Sequence, residues 1–448
     1  NRMPAHMKSS TRKLALLLIA SAMVTGCNPF NKKVTKTPVV GNRIAVLTGE
    51  SDISVDPDTA AMPLTIPEAV ANEDWAQSGG NPSKSMGHVA LPAALGNAWN
   101  VSIGAGSDKK GRLISAPVVA GGKVYTIDTN GVVRAFDARN GGTVWSATFG
   151  KDSGNKDSNY GGGVAFDDGK IYAANGLGNV AALDAATGAA VWTVKPGGPL
   201  RGAPTVADGA VYVISQDNQI YSLKAADGAS NWSSAAALEI AGVFGSASPA
   251  VARGTVIAGF SSGELNAYRY ENGRLVWQDA LSRTSISTSV ASLSDIDASP
   301  VIDGNQVFAV GKGGRMVALE LNSGQRIWEQ NVAGITTPWV AGDWVFVVTD
   351  EAKVVAMSRT TGKVRWINEL PRWDNPKGKK GLIYYSGPIL AGSRLIVVGS
   401  NGVLVNINPV NGSFQSQTNV GASVSVPPVV AGNTLYILDD KGRLIAYR

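Results

Sequence analysis

The chain has 448 residues, of which 17% are charged and 53 are glycine. Its formal charge of +6 depends on Arg2, Lys8, Arg12 and Lys13 at the extreme N-terminus, beyond which 36 basic side chains face 34 acidic ones. That near balance excludes a nucleic-acid-binding role as a class, and abundant glycine with sparse charge fits a many-turned β protein.

From Met7 the chain carries a basic stretch, an apolar run from Leu14 to Val24, and the small-residue sequence Val24-Thr25-Gly26-Cys27. The run is too short to span a bilayer, and the pattern predicts a signal peptide over residues 1–26. Its end resembles the lipobox of bacterial lipoproteins, in which the cysteine is acylated and becomes the mature N-terminus. The resemblance implies that Cys27, the sole cysteine, is a lipidation site. An ordinary signal peptide with a chance cysteine is the alternative. Asn28, rather than an aspartate, follows the cysteine, which points to a lipid anchor at the outer membrane on its periplasmic face. Residues 27–70 hold prolines, small polar residues and scattered charge without periodicity, and read as the acylated cysteine and a flexible tether. Residues 71–94 read as a lead-in whose Trp75 packs against the domain that follows.

That domain, residues 71–448, is organised by a repeat. Its first complete copy, Gly111 to Trp145, holds short apolar runs separated by Gly-Gly and Asn-Gly turn signals. A proline opens the unit at Pro117, Pro204, Pro249, Pro300, Pro338, Pro388 and Pro428, with Val164 at the same place in one further copy. Strand centres follow at offsets 8 and 19, a glycine at offset 24, and a tryptophan at offset 28: Trp145, Trp192, Trp232, Trp277, Trp328 and Trp366, with Ser416 the exception. Radial repetition of a four-stranded unit predicts an all-β fold, an eight-bladed β-propeller. The last copy stops at Arg448, before its offset-24 position, while Ala98-Trp99-Asn100-Val101-Ser102 is a tryptophan strand with no proline unit before it. The prediction is that this N-terminal strand closes the last blade and leaves no open edge. The tryptophans read as wedges between splayed blades, and Asp184-Ala185-Ala186-Thr187-Gly188 reads as turn chemistry.

The pattern from Ile171 to Trp192 resembles the repeat of pyrroloquinoline-quinone (PQQ) dehydrogenases, which implies PQQ-like blades and makes a quinoprotein enzyme one reading. Those enzymes use a vicinal cysteine pair and carboxylates around calcium. Here the only cysteine is Cys27 and the only histidines are His6 and His88, so no catalytic triad, histidine metal site or haem-attachment motif can be assembled. The expectation is therefore no enzyme activity and no cofactor. A periplasmic propeller that binds a peptide, glycan or metal is a further alternative.

Lipobox, tether and eight such blades together resemble the lipoprotein propellers of the bacterial outer-membrane β-barrel assembly machinery. Leu293-Ser294-Asp295-Ile296-Asp297-Ala298-Ser299-Pro300 matches that family's element before the fifth blade. The resemblance implies a non-enzymatic scaffold that binds the periplasmic POTRA domains of the central barrel-assembly protein (BamA) through Asp295 and Asp297. It also makes unfolded outer-membrane protein clients candidate partners. On their own terms, Asp295 and Asp297 point the same way in extended chain. They would meet a partner's cation or serve as turn caps, and two carboxylates are too few ligands for a metal site. The family's second contact, a leucine/arginine loop before the fourth blade, falls at Ala241–Pro249, where Val243 and Phe244 keep the apolar character without the charge. Arg283, in the long stretch before blade five, is the candidate to replace it. Segments 148–163, 278–298 and 367–387 are the long connections between blades and are expected on one face. The last contains Trp373 and Lys377-Gly378-Lys379-Lys380, read as a solvated basic loop.

Overall fold

The computed structural model describes residues 53–150, 161–237, 247–281, 298–312 and 314–448. Among them the repeats fold as eight four-stranded antiparallel sheets. In chain order they span residues 118–147 (blade 1), 162–194 (blade 2), 205–235 (blade 3), 250–280 (blade 4), 301–330 (blade 5), 339–369 (blade 6), 385–419 (blade 7) and 429–447 (blade 8). In blades 1–7 the strands run in sequence order from axis to rim. Blade 8 takes its outer strand, Asn97–Ser102, from upstream of blade 1. That strand pairs antiparallel with Arg443–Tyr447, Trp99 facing Ala446. Gly96 and Arg448 exchange two backbone hydrogen bonds of 2.7 and 2.9 Å. The propeller closed by an N-terminal strand is thus the observed fold.

Burial follows distance from the axis. The second strand of blade 3, Ala210–Ile214, is buried at every residue, whereas the outer strand of blade 1, Thr143–Ala147, buries only its tryptophan. Each such tryptophan packs on the next blade. The Trp145 indole N–H donates to Ala185 O at 2.9 Å, Trp192 to Ala225 O at 2.8 Å, and Trp277 to Leu321 O at 2.7 Å. Trp99 does the same across the closure, reaching Ala138 O at 3.1 Å. The offset-24 glycine explains itself here twice over. Gly324 has φ +71°, and a Cβ on it would lie 2.5 Å from Trp277 Cγ. Only glycine accepts both the left-handed turn and the indole against it.

Residues 72–92 lie outside the repeat and thread the hub. Asn72 Nδ2 donates to Val430 O of blade 8 at 2.8 Å. Trp75 and Val119 of blade 1 exchange bonds of 2.7 and 2.8 Å, and Phe166 N of blade 2 donates to Ala76 O at 2.7 Å. The Gln77 side-chain amide bonds Val206 of blade 3 in both directions, at 2.7 and 2.9 Å. Val251 N and Ile302 N of blades 4 and 5 donate to Pro82 O and Ser83 O, both at 2.9 Å. Trp339 Nε1 of blade 6 reaches Gly87 O at 2.7 Å, and Val89 N donates to Leu390 O of blade 7 at 3.2 Å. The innermost strands have backbone groups with no ladder partner on the axial side. This one segment satisfies some in every blade but blade 6, where it meets the Trp339 indole instead, in ring order. Trp75 stacks on Trp339 with centroids 5.8 Å apart. Lys84 is carried into the hub at 1% exposure. His88 is structural: its Nε2 accepts from Ser393 N at 2.8 Å, which leaves the proton on Nδ1, 2.6 Å from Pro67 O.

The tether expected to reach residue 70 ends earlier. Residues 53–70 pack against blade 6, beginning with a parallel bridge between Val55 and Val364. The helix Pro57–Ala61 follows, its N-terminus capped by Asp56, whose carboxylate accepts from Thr59 N at 2.9 Å. Hydrogen bonds from the Thr59 hydroxyl and amide hold the Asp56 carboxyl below its usual range. Arg365, lying over the Trp344 ring, donates to Thr59 O, Ala60 O and Met62 O at the helix C-terminus, where a cation opposes the partial negative charge of free carbonyls. One helical turn and an isolated bridge leave no periodicity to read.

Candidate interaction face

The ring presents two faces. One carries the hub segment and the turns between first and second strands, as the bonds Gly432 N to Asn72 O (2.7 Å) and Gly392 N to Val89 O (2.9 Å) place it. The opposite face carries the connections from each outer strand to the next inner strand. Loop-borne residues on a rigid frame are where binding concentrates, so this second face is the candidate.

The partner-contact candidates Asp295, Asp297, Val243, Phe244 and Arg283, and the lipidation candidate Cys27, lie outside the described residues. The roots of the two segments before blades 4 and 5 are described, and they are neighbours. Ala236 N donates to Asn218 O at 2.8 Å and Asn218 Nδ2 to Ala237 O at 2.9 Å, fixing the start of segment 238–246. Leu281 N donates to Gly263 O at 2.8 Å where segment 282–297 departs. Where the two segments return, Ser248 N donates to Ser299 Oγ at 3.0 Å. Ser248 Oγ continues to Ala203 O at 2.8 Å, and Ser299 N donates to Thr337 Oγ1 at 3.2 Å. A hydrogen-bonded belt across blades 3–6 thus sets both roots in register. Below them Arg326 of blade 5 forks onto Asp279 of blade 4, at 2.7 and 2.9 Å. Its hydrogen bonds to Asp279 raise the guanidinium pKa above its ordinary value. An exposed pair of this kind adds at most about 1 kcal/mol, but it fixes the spacing of the two blades.

Elsewhere on this face, a depression between blades 1 and 2 lined by Arg112, Leu113, Asp128 and Gly161 measures about 10 Å³. It admits one water molecule, not a quinone ring. Among the described residues no three His, Cys, Asp or Glu side chains come together in an arrangement that would hold a metal. The basic segment between blades 6 and 7 is exposed to solvent as the sequence suggested, but it is not a loop. It is a hairpin, Trp373–Asn375 on Lys380–Leu382, with Arg372 over the Trp373 ring at 5.7 Å. Asn375 Oδ1 closes its turn by accepting from Gly378 N at 3.1 Å.

Sequence reading expected Trp75 to pack against the ring, as it does, but missed the course of the hub segment past every blade and the capped helix. Asp56 followed by Pro57 was the available signal for the helix. Most hub contacts use backbone groups, which leave no trace in composition.

Known proteins align with this frame. The family described as "Outer membrane protein assembly factor BamB" matches residues 129–368. The protein of that name from Salmonella typhimurium is 31% identical over 78% of this chain and 87% of its own length. The one from Escherichia coli K12 is 30% identical, over 76% and 85%. Among solved structures, BamB from Moraxella catarrhalis superposes with a TM-score of 0.68 at 21% identity, covering 79% of this chain and all of that one. Quinohemoprotein alcohol dehydrogenase from Comamonas testosteroni superposes at 0.63 and 15% identity, over 88% and 82%, a likeness of fold alone. Extent and identity over the whole ring decide the matter: the chain belongs to the family of the outer membrane protein assembly factor BamB.

Proposed function

We propose that this chain is a non-enzymatic scaffold lipoprotein of the outer-membrane protein assembly machinery. In this reading Cys27 is acylated, residues 28–52 tether the ring to the outer membrane, and the ring faces the periplasm. The segments before blades 4 and 5 bind the POTRA domains of the barrel-assembly protein. Asp295 and Asp297 supply negative charge, Val243 and Phe244 apolar contact, and Arg283 the positive charge.

The observation that carries this reading is the shared root of the two segments. Ser248 and Ser299 are bonded to each other at 3.0 Å, so two segments far apart in sequence rejoin the frame at one place. Charged loops so presented suit recognition by electrostatic complementarity, which sets encounter rate and register. The test is capture of the barrel protein from solubilised membranes with Asp295→Lys/Asp297→Lys. The expected result is loss of most of the capture, with the ring's melting temperature unchanged. Undiminished capture would refute the interface.

A further inference from the structure

The stretch before the hub segment is held to the ring in a different way from the hub itself. Of residues 53–63 only Thr59 is buried, while Val55 and Met62 are 42% and 48% exposed. Ile53 is half-buried against the core between blades 5 and 6. Two sets of hydrogen bonds then hold the stretch. Near its start Asp56 N donates to Val364 O at 2.9 Å, beside the bridge from Val55 to Val364. Toward its end Arg365 Nη1 donates to Thr59 O at 3.1 Å, to Ala60 O at 3.0 Å and to Met62 O. The ring positions that guanidinium. It lies 5.5 Å from the Trp344 ring centroid, and its Nε reaches Val410 O of blade 7 at 3.3 Å. A stacked guanidinium with two of its nitrogens engaged is held in one orientation. The rest of the order is internal: the Thr59 hydroxyl donates to Asp56 Oδ2 at 2.6 Å, and Ala60 N to Asp56 O at 2.8 Å. The next fixed point along the chain is Leu64, buried in the core.

We propose that residues 53–63 form a releasable strap, clipped to blade 6 by Arg365, that lengthens the ring's tether under load without disturbing the propeller. Few buried contacts and solvent-exposed hydrogen bonds are the conditions for local opening at a free energy well below that of global unfolding. The strap meets both conditions. The hub segment after it does not, since Trp75, Gln77, Lys84 and Val89 are all buried. The order of attachment favours the strap as well. Load arriving from the N-terminal side reaches the Val55 bridge first and the Arg365 clip second, so the two yield in turn rather than together. Release of the eleven residues from Ile53 to Pro63 lets out at most about 40 Å of chain. It stops at Leu64, ahead of every hub contact, so the inner strands stay covered. A ring anchored through Cys27 gains that reach toward a partner, a use that rests on the acylation reading. The opening of the strap does not rest on it.

Hydrogen exchange of the full chain, followed by mass spectrometry, tests the opening. The amides of Asp56, Ala60 and Met62 are bonded in the clipped strap. They are expected to exchange about a hundredfold faster than the strand Trp344–Val348 of blade 6, yet more slowly than in an unstructured peptide. Arg365→Gln is expected to speed strap exchange about tenfold, the effect of losing one charged hydrogen bond. Exchange in residues 72–92 and the melting temperature are expected to stay unchanged. Thr59→Ala, which alters only the strap, is expected to act in the same direction. Magnetic tweezers holding the unacylated chain by the Cys27 thiol and the C-terminus should show a step of at most about 40 Å before any blade opens, at lower force in Arg365→Gln. Strap exchange as slow as that of Trp344–Val348, as fast as in a free peptide, or indifferent to both variants would overturn the proposal. So would the absence of the step. None of these readouts depends on acylation, so a membrane-extracted chain without acyl groups on Cys27 would refute the anchor reading alone.

Discussion

Lys84 offers the sharpest test of the hub. It lies on the segment that touches every blade, at 1% exposure and φ +65°, and its Nζ donates to Thr205 Oγ1 at 3.1 Å. Thr205 Oγ1 in turn donates to Pro249 O at 2.6 Å. Desolvation lowers the amine from 10.5 to about 7. Below about 7 the ammonium is charged in both folded and unfolded chains, and folding bears the whole cost of burying it. Above 7 the folded chain sheds a proton that the unfolded chain keeps until 10.5, so the cost fades as pH rises. At about 1.36 kcal/mol per pH unit the full cost is about 5 kcal/mol, and about 4 kcal/mol of it is present at pH 7. Lys84→Met keeps the length of the side chain and removes the charge, but it also gives up one hydrogen bond of about 1 kcal/mol. The variant should therefore be about 3 kcal/mol more stable at pH 7. That advantage should shrink by about 1.4 kcal/mol for each pH unit toward 10. Urea unfolding followed by tryptophan fluorescence at pH 7, 8 and 9 measures it. A difference that does not change with pH, or a variant less stable than the native chain at pH 7, would show that the buried amine is not the cause.

Two further outcomes follow from the junctions and the closure. Trp277→Ala should cost about 3–5 kcal/mol, the range for a large buried aromatic. Gly324→Ala should destabilise as well, through its left-handed φ and the indole 2.5 Å away. Because the two residues touch, the double variant should cost less than the sum of the singles; strict additivity in chemical unfolding would contradict the contact. Deleting residues 95–103 should lower the melting temperature sharply, since it strips blade 8 of its outer strand and blade 1 of the Trp99 contact. Unchanged melting would mean that the ring does not depend on the closure.

The fold was legible because the propeller writes itself into the sequence at fixed intervals. Trp277 and Gly324 recur at constant offsets because each serves the same contact in every copy. Trp99 was legible as an outer strand without a blade for the same reason. Residues 72–92 were opaque because most of their bonds are made by main chain, from Trp75, Ala76, Pro82, Ser83 and Val89. The hairpin at Trp373–Leu382 read as loop because its strands are three residues each, too short to show alternation. The partner-contact candidates were reached by resemblance and by departure from the repeat. Single carboxylates such as Asp295 carry no periodic signature, and nothing local to them distinguishes a contact from a turn cap.

The hub has a consequence for how the chain reaches its native state. Asn72 bonds to Val430 across 358 residues of sequence, and the segment that holds it engages inner strands from every blade between. Each blade can assemble from neighbours in sequence, but the axis cannot be completed until the last blade exists. The earliest part of the propeller to be synthesised is thus among the last to find its place. Contacts of such long range slow folding, because chain entropy must be given up before they form. Through that interval the innermost strands keep unpaired edges toward the axis, where a strand from another chain could pair.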